Sequence, residues 1–291
     1  MTSIEEIKER NLAAISRPRL PVDVDGKNLI EHMKENPYYG FVDVLLPGGG
    51  GFVMINLNDC AVSSKIFWTG LFSYEPGSLA VWRKLSKISM TIVDCGAYTG
   101  IYSLVSAAVN RGASIYAFEP VSFIRARLSK NAIINNCTGI KVYACALGCD
   151  SKIIDLNIPF GPTIFSSGTS IVYSKNTNTI EVAKIDGYDS LNLPPPDLVK
   201  IDAEGAEELV LQGMKNSLVK NPFILCEVLG KRDPESLIKY LPDGYKYWYV
   251  KESGANVITN DSNEWRASGG LNVIYYHADK RATLEEYSSH Q

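Results

Sequence analysis

Several features that mark particular protein classes are scarce or missing in this sequence. No segment approaches the roughly 18 consecutive apolar residues of a membrane-spanning helix. The first part of the chain is charged throughout and lacks the apolar stretch of a signal peptide. The six cysteines form no CxxC pair, and no histidine stands at metal-finger spacing. We therefore expect a cytoplasmic protein with reduced cysteines, no membrane association and no structural zinc.

A strong charge of one sign is also missing. The formal net charge is -3, which gives no reason to expect the basic footprint that nucleic acids favour. The 291 residues are 45% hydrophobic and 21% charged, which is ordinary for a globular protein with a large core. We expect a small-molecule substrate and no nucleic acid, and the composition does not indicate which small molecule.

The sequence does contain a change of pattern near residue 90. Before it, an amphipathic helix over Ile4–Ile15 precedes two apolar runs, Tyr39–Leu46 and Phe52–Leu57, which a proline and four glycines separate as in a β-hairpin. A helix over Ser78–Leu85 follows, with its first residue available as the N-cap. We predict an N-terminal α+β extension over residues 1–89 that caps the substrate side of the remaining chain.

From residue 90 onward, short apolar runs alternate with helix-length stretches. Strands that are apolar on both faces and separated by helices indicate a mostly parallel sheet with helices on both faces. We therefore predict an α/β core over residues 90–291, in which the last two strands could pair as an antiparallel edge. The predicted strands are Thr91–Val93, Ser114–Phe118, Ile140–Ala146, Leu198–Ile201, Phe223–Val228, Lys246–Val250 and Leu271–Tyr276, and the predicted helices are Gly100–Ala108, Ser122–Asn135 and Ala206–Ser217.

The strongest local motif is the turn VDCGAYTG at residues 93–100, between a buried strand and a helix. Its two glycines allow a close approach to a ligand, and the helix that follows directs its N-terminal amides at that ligand. The middle glycine of a dinucleotide-binding turn is missing, and Asp94 would repel a pyrophosphate but suit the amino group of a methionine moiety. Glu119, at the next strand end, is placed to bind ribose hydroxyls. NAD and nucleotide sugars stay open, because they need the same ribose contact.

A second motif, LVKIDAEGAE, occupies residues 198–207. Its alternation puts Lys200, Asp202 and Glu204 on one side of the strand's exit, at the sheet edge where open α/β sheets bind ligands. Solvated charges seldom interrupt a buried strand, so we interpret this group as part of a functional site.

Together the VDCGAYTG turn, the FEP strand end, the ACALG segment and KIDAEGAEELVLQGM resemble the FkbM family of methyltransferases, over about residues 56–276. One departure is Tyr98, where the family usually has asparagine. The resemblance implies a Rossmann-like class I methyltransferase fold, with seven strands in the order 3-2-1-4-5-7-6 and the last strand antiparallel. It also implies methyl transfer from S-adenosylmethionine to oxygen, commonly a hydroxyl of a sugar, polyketide or other secondary metabolite. The residues that would bind this cofactor and its product S-adenosylhomocysteine are Asp94, Gly96, Ala97, Tyr98, Thr99, Gly100, Glu119, Pro120, Ala146 and Leu147.

An alcohol is a poor nucleophile at neutral pH, so a general base or a metal would help the transfer. The candidate bases are Asp202, Glu204 and Glu227, and Lys200 could hold one of them ionised. Asp202 and Glu227 also occupy the positions where catechol-type enzymes hold magnesium. Since two ligands fall short of a site, we expect no metal.

Tyr74 and Glu75, ahead of the core, are the candidate substrate-binding residues. Three other interpretations stay open: a carboxylate O-methyltransferase, an oxidoreductase, and a non-catalytic protein that keeps the cofactor fold. The oxidoreductase should show the fuller glycine fingerprint, which this chain lacks. The apolar N-terminal part could also form a surface between copies of a homo-oligomer.

Overall fold

The computed structural model describes residues 4–70, 73–157, 180–228, 232–254 and 256–288. Within these ranges the chain forms a two-stranded hairpin, an eight-stranded sheet and a three-stranded sheet, with helices packed around them. Across the same ranges, no helix combines the length and the apolar character that crossing a bilayer would take.

The N-terminal part holds two helices more than the sequence predicted. The first of them starts after Asp25, whose carboxylate accepts the backbone N–H groups of Lys27 and Asn28 at 3.0 Å each. The second is buried on almost all sides, so it shows no amphipathic pattern that the sequence could reveal. The elements are α1 (Ile4–Ser16), α2 (Gly26–Glu35), β1 (Gly40–Leu45), β2 (Gly51–Asn56), α3 (Ala61–Thr69) and α4 (Pro76–Ser86).

The predicted N-cap of α4 is wrong. This helix begins two residues earlier, at Pro76, and Ser78 lies buried in its first turn. The free N–H groups of Gly77 and Ser78 donate to the Glu252 carboxylate at 2.8 and 3.3 Å. A distant glutamate therefore supplies the cap that the sequence assigned to a local serine.

The remaining chain alternates strands and helices as predicted. Three short 3-10 helices, over Tyr188–Leu191, Ser217–Lys220 and Ala278–Lys280, complete it. Its elements are β3 (Thr91–Cys95), α5 (Ile101–Val109), β4 (Ser114–Phe118), α6 (Ser122–Ile134), β5 (Ile140–Tyr143), β6 (Cys145–Leu147), β7 (Lys152–Asn157), β8 (Ile180–Asp186), β9 (Leu198–Ile201), α7 (Glu207–Gly213), β10 (Phe223–Glu227), α8 (Glu235–Ile238), β11 (Tyr245–Val250), β12 (Ile258–Thr259), α9 (Ser262–Ala267), β13 (Asn272–His277) and α10 (Arg281–Ser288).

The large sheet has the order β12-β11-β13-β10-β9-β3-β4-β5. Its strands β5, β4, β3, β9 and β10 are parallel, and β13 is antiparallel to β10 and to β11. Without the two-residue edge strand β12, counting in chain order gives 3-2-1-4-5-7-6. The class I methyltransferase-like α/β fold and its antiparallel last strand are therefore confirmed, with one strand more than predicted.

Two predicted elements differ from the structure. The single strand over 140–146 is divided into β5, in the large sheet, and β6, which pairs with β8 in the three-stranded sheet β6-β8-β7. The partner of β6 lies some 40 residues further along the chain, so the local sequence does not indicate that the strand is divided into β5 and β6. Helix α7 also ends at Gly213 instead of residue 217, since glycine has a low helix propensity.

The N-terminal part and the large sheet share one hydrophobic core. Trp68 of α3 and Trp82 of α4 are fully buried in a cluster that includes Ile92 and Leu225 from one face of the sheet. The opposite face forms a second cluster, in which Val199 packs with residues of α7 and α9. The strands thus bury both faces, as the apolar runs predicted.

Two asparagine side chains, one in α6 and one at the residue that follows this helix, complete the open edge of strand β2. Asn135 accepts from the N–H of Val53 and donates to its carbonyl, both at 2.7 Å. Asn131 accepts from the N–H of Ile55 at 2.9 Å and donates to the Thr99 carbonyl at 2.9 Å. The hairpin is therefore tied to α6 and, through Asn131, to the turn after β3.

Candidate active site

A cleft of about 980 Å³, including its open mouth, lies at the carboxyl ends of β3, β4 and β9. This is the sheet edge where α/β folds bind their ligands. The described residues that line it come from the ends of these strands, from β6, from the first turns of α5 and α6, and from the segment before α4. They are Tyr74, Cys95, Gly96, Ala97, Tyr98, Ile101, Tyr102, Glu119, Pro120, Val121, Ile124, Ala146, Leu147, Lys200, Asp202, Ala203, Glu204 and Ala206.

The turn after β3 is built around glycine at its first position. Gly96 has φ +77°, and a Cβ there would stand 1.9 Å from the carbonyl oxygen of Asp202. The N–H groups of Gly96 and Ala97 donate to the Phe118 carbonyl at 3.1 and 3.0 Å. The turn is therefore packed tightly between the ends of β4 and β9, with no room for a side chain at Gly96.

Three residues with predicted cofactor contacts, Asp94, Thr99 and Gly100, are absent from the described lining of the cleft. Asp94 is 1% exposed and accepts from the N–H and hydroxyl of Ser103 in α5 at 3.0 and 2.6 Å. Burial raises the pKa of the Asp94 carboxyl to about 6, against these hydrogen bonds. Asp94 therefore lies behind the wall of the cleft, where its hydrogen bonds to Ser103 hold α5 against β3.

Glu119 does face the cleft. Its two carboxylate oxygens accept the N–H groups of Tyr98 at 3.0 Å and Val121 at 2.8 Å. Burial raises its pKa to about 8, although these N–H groups favour the charged form. Pro120 follows it in the lining, and its carbonyl accepts from Arg125 at 2.7 Å. A buried carboxylate with this raised pKa gains from a ligand that offers further hydrogen-bond donors.

The wall beside Glu119 is apolar. The structure places the predicted residues Ala146 and Leu147 in it, and adds Val121 and Ile124, which sequence reasoning missed. Both stand just after the FEP strand end, where the first turn of a helix returns past the strand, so their position was a usable signal. This wall offers a flat ring a surface of apolar contacts.

Opposite this wall, three carboxylates converge. Asp202, Glu204 and Glu227 each place an oxygen within 4.8 Å of the others. Burial, followed by the charge of Asp202, raises the pKa of Glu204 to about 7 and that of Glu227 to about 9. Glu204 and Glu227 therefore hold a proton more readily than exposed carboxyls do, and a proton can be shared within the cluster. Glu227 itself lies outside the described lining of the cleft. The sequence indicated two oxygen ligands here, and the structure adds Glu204 as a third of the kind that magnesium prefers.

Lys200 is buried beside this cluster, with 1% of its side chain exposed. Its ammonium lies 3.4 Å from an Asp202 oxygen, 3.1 Å from Oδ1 of Asn272 and 5.0 Å from the centre of the Tyr102 ring. Burial opposes its charge, but Asp202, Glu75 and Glu227 outweigh burial and raise the pKa of Lys200 above its usual value. The predicted pairing of Lys200 with one of the acids is thus present.

Of the two residues ahead of the core, Tyr74 lines the cleft and Glu75 does not. Glu75 instead accepts hydrogen bonds from the Tyr102 hydroxyl and, at 3.2 Å, from Nδ2 of Asn272. Asn272 is fully buried and was missed by sequence reasoning. Because β13 is antiparallel to β10, it begins at the edge where the parallel strands end, and this topology was the signal that could have found Asn272.

The fold and the position of the cleft are those of a class I methyltransferase-like protein. A sequence model of the Methyltransferase FkbM domain matches residues 94–249, more than half of the chain. The chain therefore belongs to the FkbM methyltransferase family, as the resemblance of its motifs predicted. The match begins at Asp94, so the N-terminal extension lies outside it.

Three curated relatives are similar to parts of the chain. The hexuronic acid methyltransferase AglP of Haloferax volcanii is 30% identical over 151 residues, 52% of this chain and 60% of AglP. Methyltransferase 1 of Beauveria bassiana is 25% identical over 48% of this chain and 66% of its own length. Methyltransferase sdnD of Sordaria araneosa is 27% identical over 46% and 64%. The chain thus spans less than two thirds of each relative.

The solved structures to which this chain is similar are more distant in sequence. A methyltransferase FkbM from Methylobacillus flagellatus KT is 18% identical, with a TM-score of 0.44 over 65% of this chain and 44% of its own. A SAM-dependent methyltransferase from Agrobacterium tumefaciens is 11% identical, with a TM-score of 0.45 over 82% and 70%.

Proposed function

We propose that the protein transfers a methyl group from S-adenosylmethionine to a hydroxyl oxygen of a small molecule. The observation that carries this proposal is the acidic lining of the cleft. Among the described residues that line it, Glu119, Asp202 and Glu204 are acidic and Lys200 is the single cation. Burial raises the pKa values of Glu119 and Glu204 to about 8 and about 7. S-adenosylmethionine carries its methyl group on a cationic sulfonium, and a cation bound in this cleft stabilises the ionised form of these carboxyls.

The cofactor half of the cleft lies between the turn after β3 and the apolar wall. Gly96, Ala97 and Tyr98 line this half, and an amino-acid moiety would lie against them. Glu119 would accept hydrogen bonds from the ribose hydroxyls, in exchange for one of its present backbone donors. Ala146 and Leu147 would flank the adenine ring with apolar contacts.

The acceptor half is lined by Asp202 and Glu204, and Glu227 lies beside them but outside the described lining of the cleft. Methyl transfer is an in-line displacement, so the cleft chiefly aligns donor and acceptor and excludes water. As the acceptor hydroxyl becomes an ether, its proton would pass to the cluster of Asp202, Glu204 and Glu227. Lys200 forms an ion pair with Asp202 at 3.4 Å, so its ammonium lies beside the member of the cluster that would serve as the base.

The same cluster favours a hydroxyl over a carboxylate as the acceptor group. A carboxylate is ionised already and needs no base, and it would be repelled by the acids around it. The single cation of the lining, Lys200, is already engaged with Asp202 and Asn272. The name of AglP mentions hexuronic acid, a sugar that carries both groups, so sugars of this kind make a direct test.

Calorimetry tests the cofactor first. We expect S-adenosylmethionine and S-adenosylhomocysteine to bind in the micromolar range and NAD to bind more weakly. Glu119→Gln should weaken both sulfur compounds by about tenfold, since hydrogen bonds to a charged group contribute about 1.5–3 kcal/mol. Glu208→Gln, on the partly exposed side of α7, is the matched control and should bind normally. Tighter binding of NAD would contradict the proposal.

Transfer is tested with methyl-labelled cofactor and a hexose or a hexuronic acid as acceptor. Methyl ethers survive mild alkali, whereas methyl esters are hydrolysed. Alkali-stable label on both sugars is the expected result. Label that alkali releases, found on the hexuronic acid alone, would establish the carboxylate O-methyltransferase instead. Tight cofactor binding without transfer to any sugar, alcohol or acid would favour the non-catalytic protein.

A further inference from the structure

Backbone strain in this protein is concentrated at the cleft. Seven non-glycine residues of the described ranges have a left-handed φ. Four are asparagines, which adopt this conformation more readily than other residues. The other three are Glu75, Tyr98 and Glu204, with φ of 41°, 49° and 50°. Tyr98 and Glu204 line the cleft, and Glu75 is bound to Asn272 at the same edge. Strained residues persist where their surroundings hold them, often at functional sites.

The strain at Glu204 has an identifiable support. The next residue, Gly205, also has a left-handed φ, +100°, so the chain turns sharply between β9 and α7. The N–H of Gly205 donates to the Glu207 carboxylate at 2.7 Å. The carbonyl of the same residue accepts from Nη2 of Arg232 at 3.1 Å. Glu207 and Arg232 thus bind the N–H and the carbonyl of Gly205, the residue that follows Glu204.

The two residues also bind each other. The Glu207 side chain is 2% exposed and forms an ion pair with Nη1 of Arg232, which is 31% exposed. A carboxylate buried to this extent needs a partner, because an unpaired buried charge is costly. Neither residue belongs to the described lining of the cleft, whereas Ala203, Glu204 and Ala206 do. The ion pair therefore lies behind the turn that forms this part of the wall.

We propose that Glu207 and Arg232 are positioning residues that hold Glu204 in its strained backbone and so keep its carboxylate beside Asp202 and Glu227. Only the part of this proposal that gives the Glu204 carboxylate a role beside the bound cofactor rests on the proposed function. The support itself is a property of the apo protein. If the ion pair is lost, the turn is free to relax, and the Glu204 carboxylate leaves the cluster.

A double-mutant cycle tests the proposal, because two residues that act on one turn have non-additive effects. Its members are Arg232→Ala, Glu204→Asn and the double variant, each measured for melting temperature and for S-adenosylmethionine affinity. Asparagine is chosen because this chain uses it at its other left-handed positions. Arg281→Ala is the matched control, since it removes an arginine from an exposed ion pair with Glu285.

We expect E204N to raise the melting temperature by about 2–4 °C through relief of strain, and to weaken cofactor binding. R232A should weaken binding by about tenfold in the wild-type background and less than about twofold in the E204N background, and R281A should leave binding unchanged. An equal loss in both backgrounds, or no loss in either, would overturn the proposal. If the wild type binds no cofactor, the proposed function fails on its own. The melting temperatures then decide, because coupling between E204N and R232A supports the positioning role and additivity refutes it.

Discussion

Gly96 and Asp202 stand closer together than any side chain between them would permit. A Cβ on Gly96 would lie 1.9 Å from the Asp202 carbonyl oxygen, and the Asp202 N–H donates to the Cys95 carbonyl at 3.0 Å. The glycine turn and the acidic turn are therefore one packed unit, although about 100 residues separate them in the chain. A change in either turn reaches both halves of the cleft.

The first prediction concerns this contact. Gly96→Ala should lower the free energy of unfolding by about 2–4 kcal/mol, because the new methyl group meets rigid backbone and the φ of +77° disfavours alanine. Gly254→Ala separates the two causes, since Gly254 has φ +94° with nothing within 4 Å of a Cβ. It should cost about 1 kcal/mol. Urea unfolding of both variants gives the comparison, and equal losses would contradict the role of the contact.

The second prediction concerns pH. The pKa of Glu227 is raised to about 9 in the folded protein, against about 4.3 in an unfolded chain. Between these values the unfolded state has released a proton that the folded state keeps, so stability falls as pH rises from about 5 to 9. The slope is at most about 1.4 kcal/mol per pH unit for one proton. Glu227→Gln should make this slope less steep in urea unfolding from pH 5.5 to 9, and Glu119 and Glu204, whose pKa values are also raised, should account for the slope that remains. Glu9→Gln on exposed α1 should leave the slope unchanged.

The third prediction compares Asn131 of α6 with Asn135, the residue that follows this helix. Asn135→Ala and Asn131→Ala should each cost about 1–3 kcal/mol, because each leaves backbone groups of β2 without a partner. Asn131 also holds the Thr99 carbonyl in the turn after β3. Only its replacement should therefore weaken S-adenosylmethionine binding, as measured by calorimetry. An equal effect of both variants on binding would show that the turn does not depend on this hydrogen bond.

The fourth prediction concerns the buried cation. Lys200→Met keeps much of the side-chain volume but removes the donor to Asn272 and the counter-ion of Asp202. Loss of one partner of a buried pair costs about 3–5 kcal/mol, and the 27% exposure of Asp202 should reduce this to about 2–3 kcal/mol. Chemical denaturation at pH 7.5 measures the loss, and an unchanged midpoint would mean that water replaces the ammonium fully.

The parallel core could be predicted because its signals are local. Strand β4 was predicted with its exact bounds, since its apolar run stands between a glycine-containing turn and the FEP motif. The division between β5 and β6 could not, because β6 pairs with Ile180–Asp186, far along the chain. The predicted cap of α4 was wrong for the same reason, because Glu252 supplies the cap from the segment that follows β11. Contacts between residues that are distant in the chain cannot be predicted from the local sequence pattern.

The residues of the candidate site also fall into those that local sequence predicted and those that depend on distant contacts. Sequence spacing brought together Lys200, Asp202 and Glu204, because they belong to one strand and its turn. Asn272, by contrast, reaches Lys200 only through the antiparallel insertion of β13. Glu75 was chosen for its place before the core, and its bonds to Tyr102 and Asn272 put it behind the cleft wall. Which carboxylates face a ligand is decided by backbone turns that composition does not reveal.

The family match begins at Asp94, in the middle of strand β3, which extends over Thr91–Cys95. Residues 94–249, which match the family, therefore cannot be exchanged between relatives as a separate structural unit. A recombination breakpoint at that position would join half of a central strand to foreign neighbours. It would also separate Trp82 from the face of the sheet on which it is buried. Chimeras between relatives should keep the N-terminal extension and β3 together with α5, where Tyr102 and Ser106 accept hydrogen bonds from Trp82.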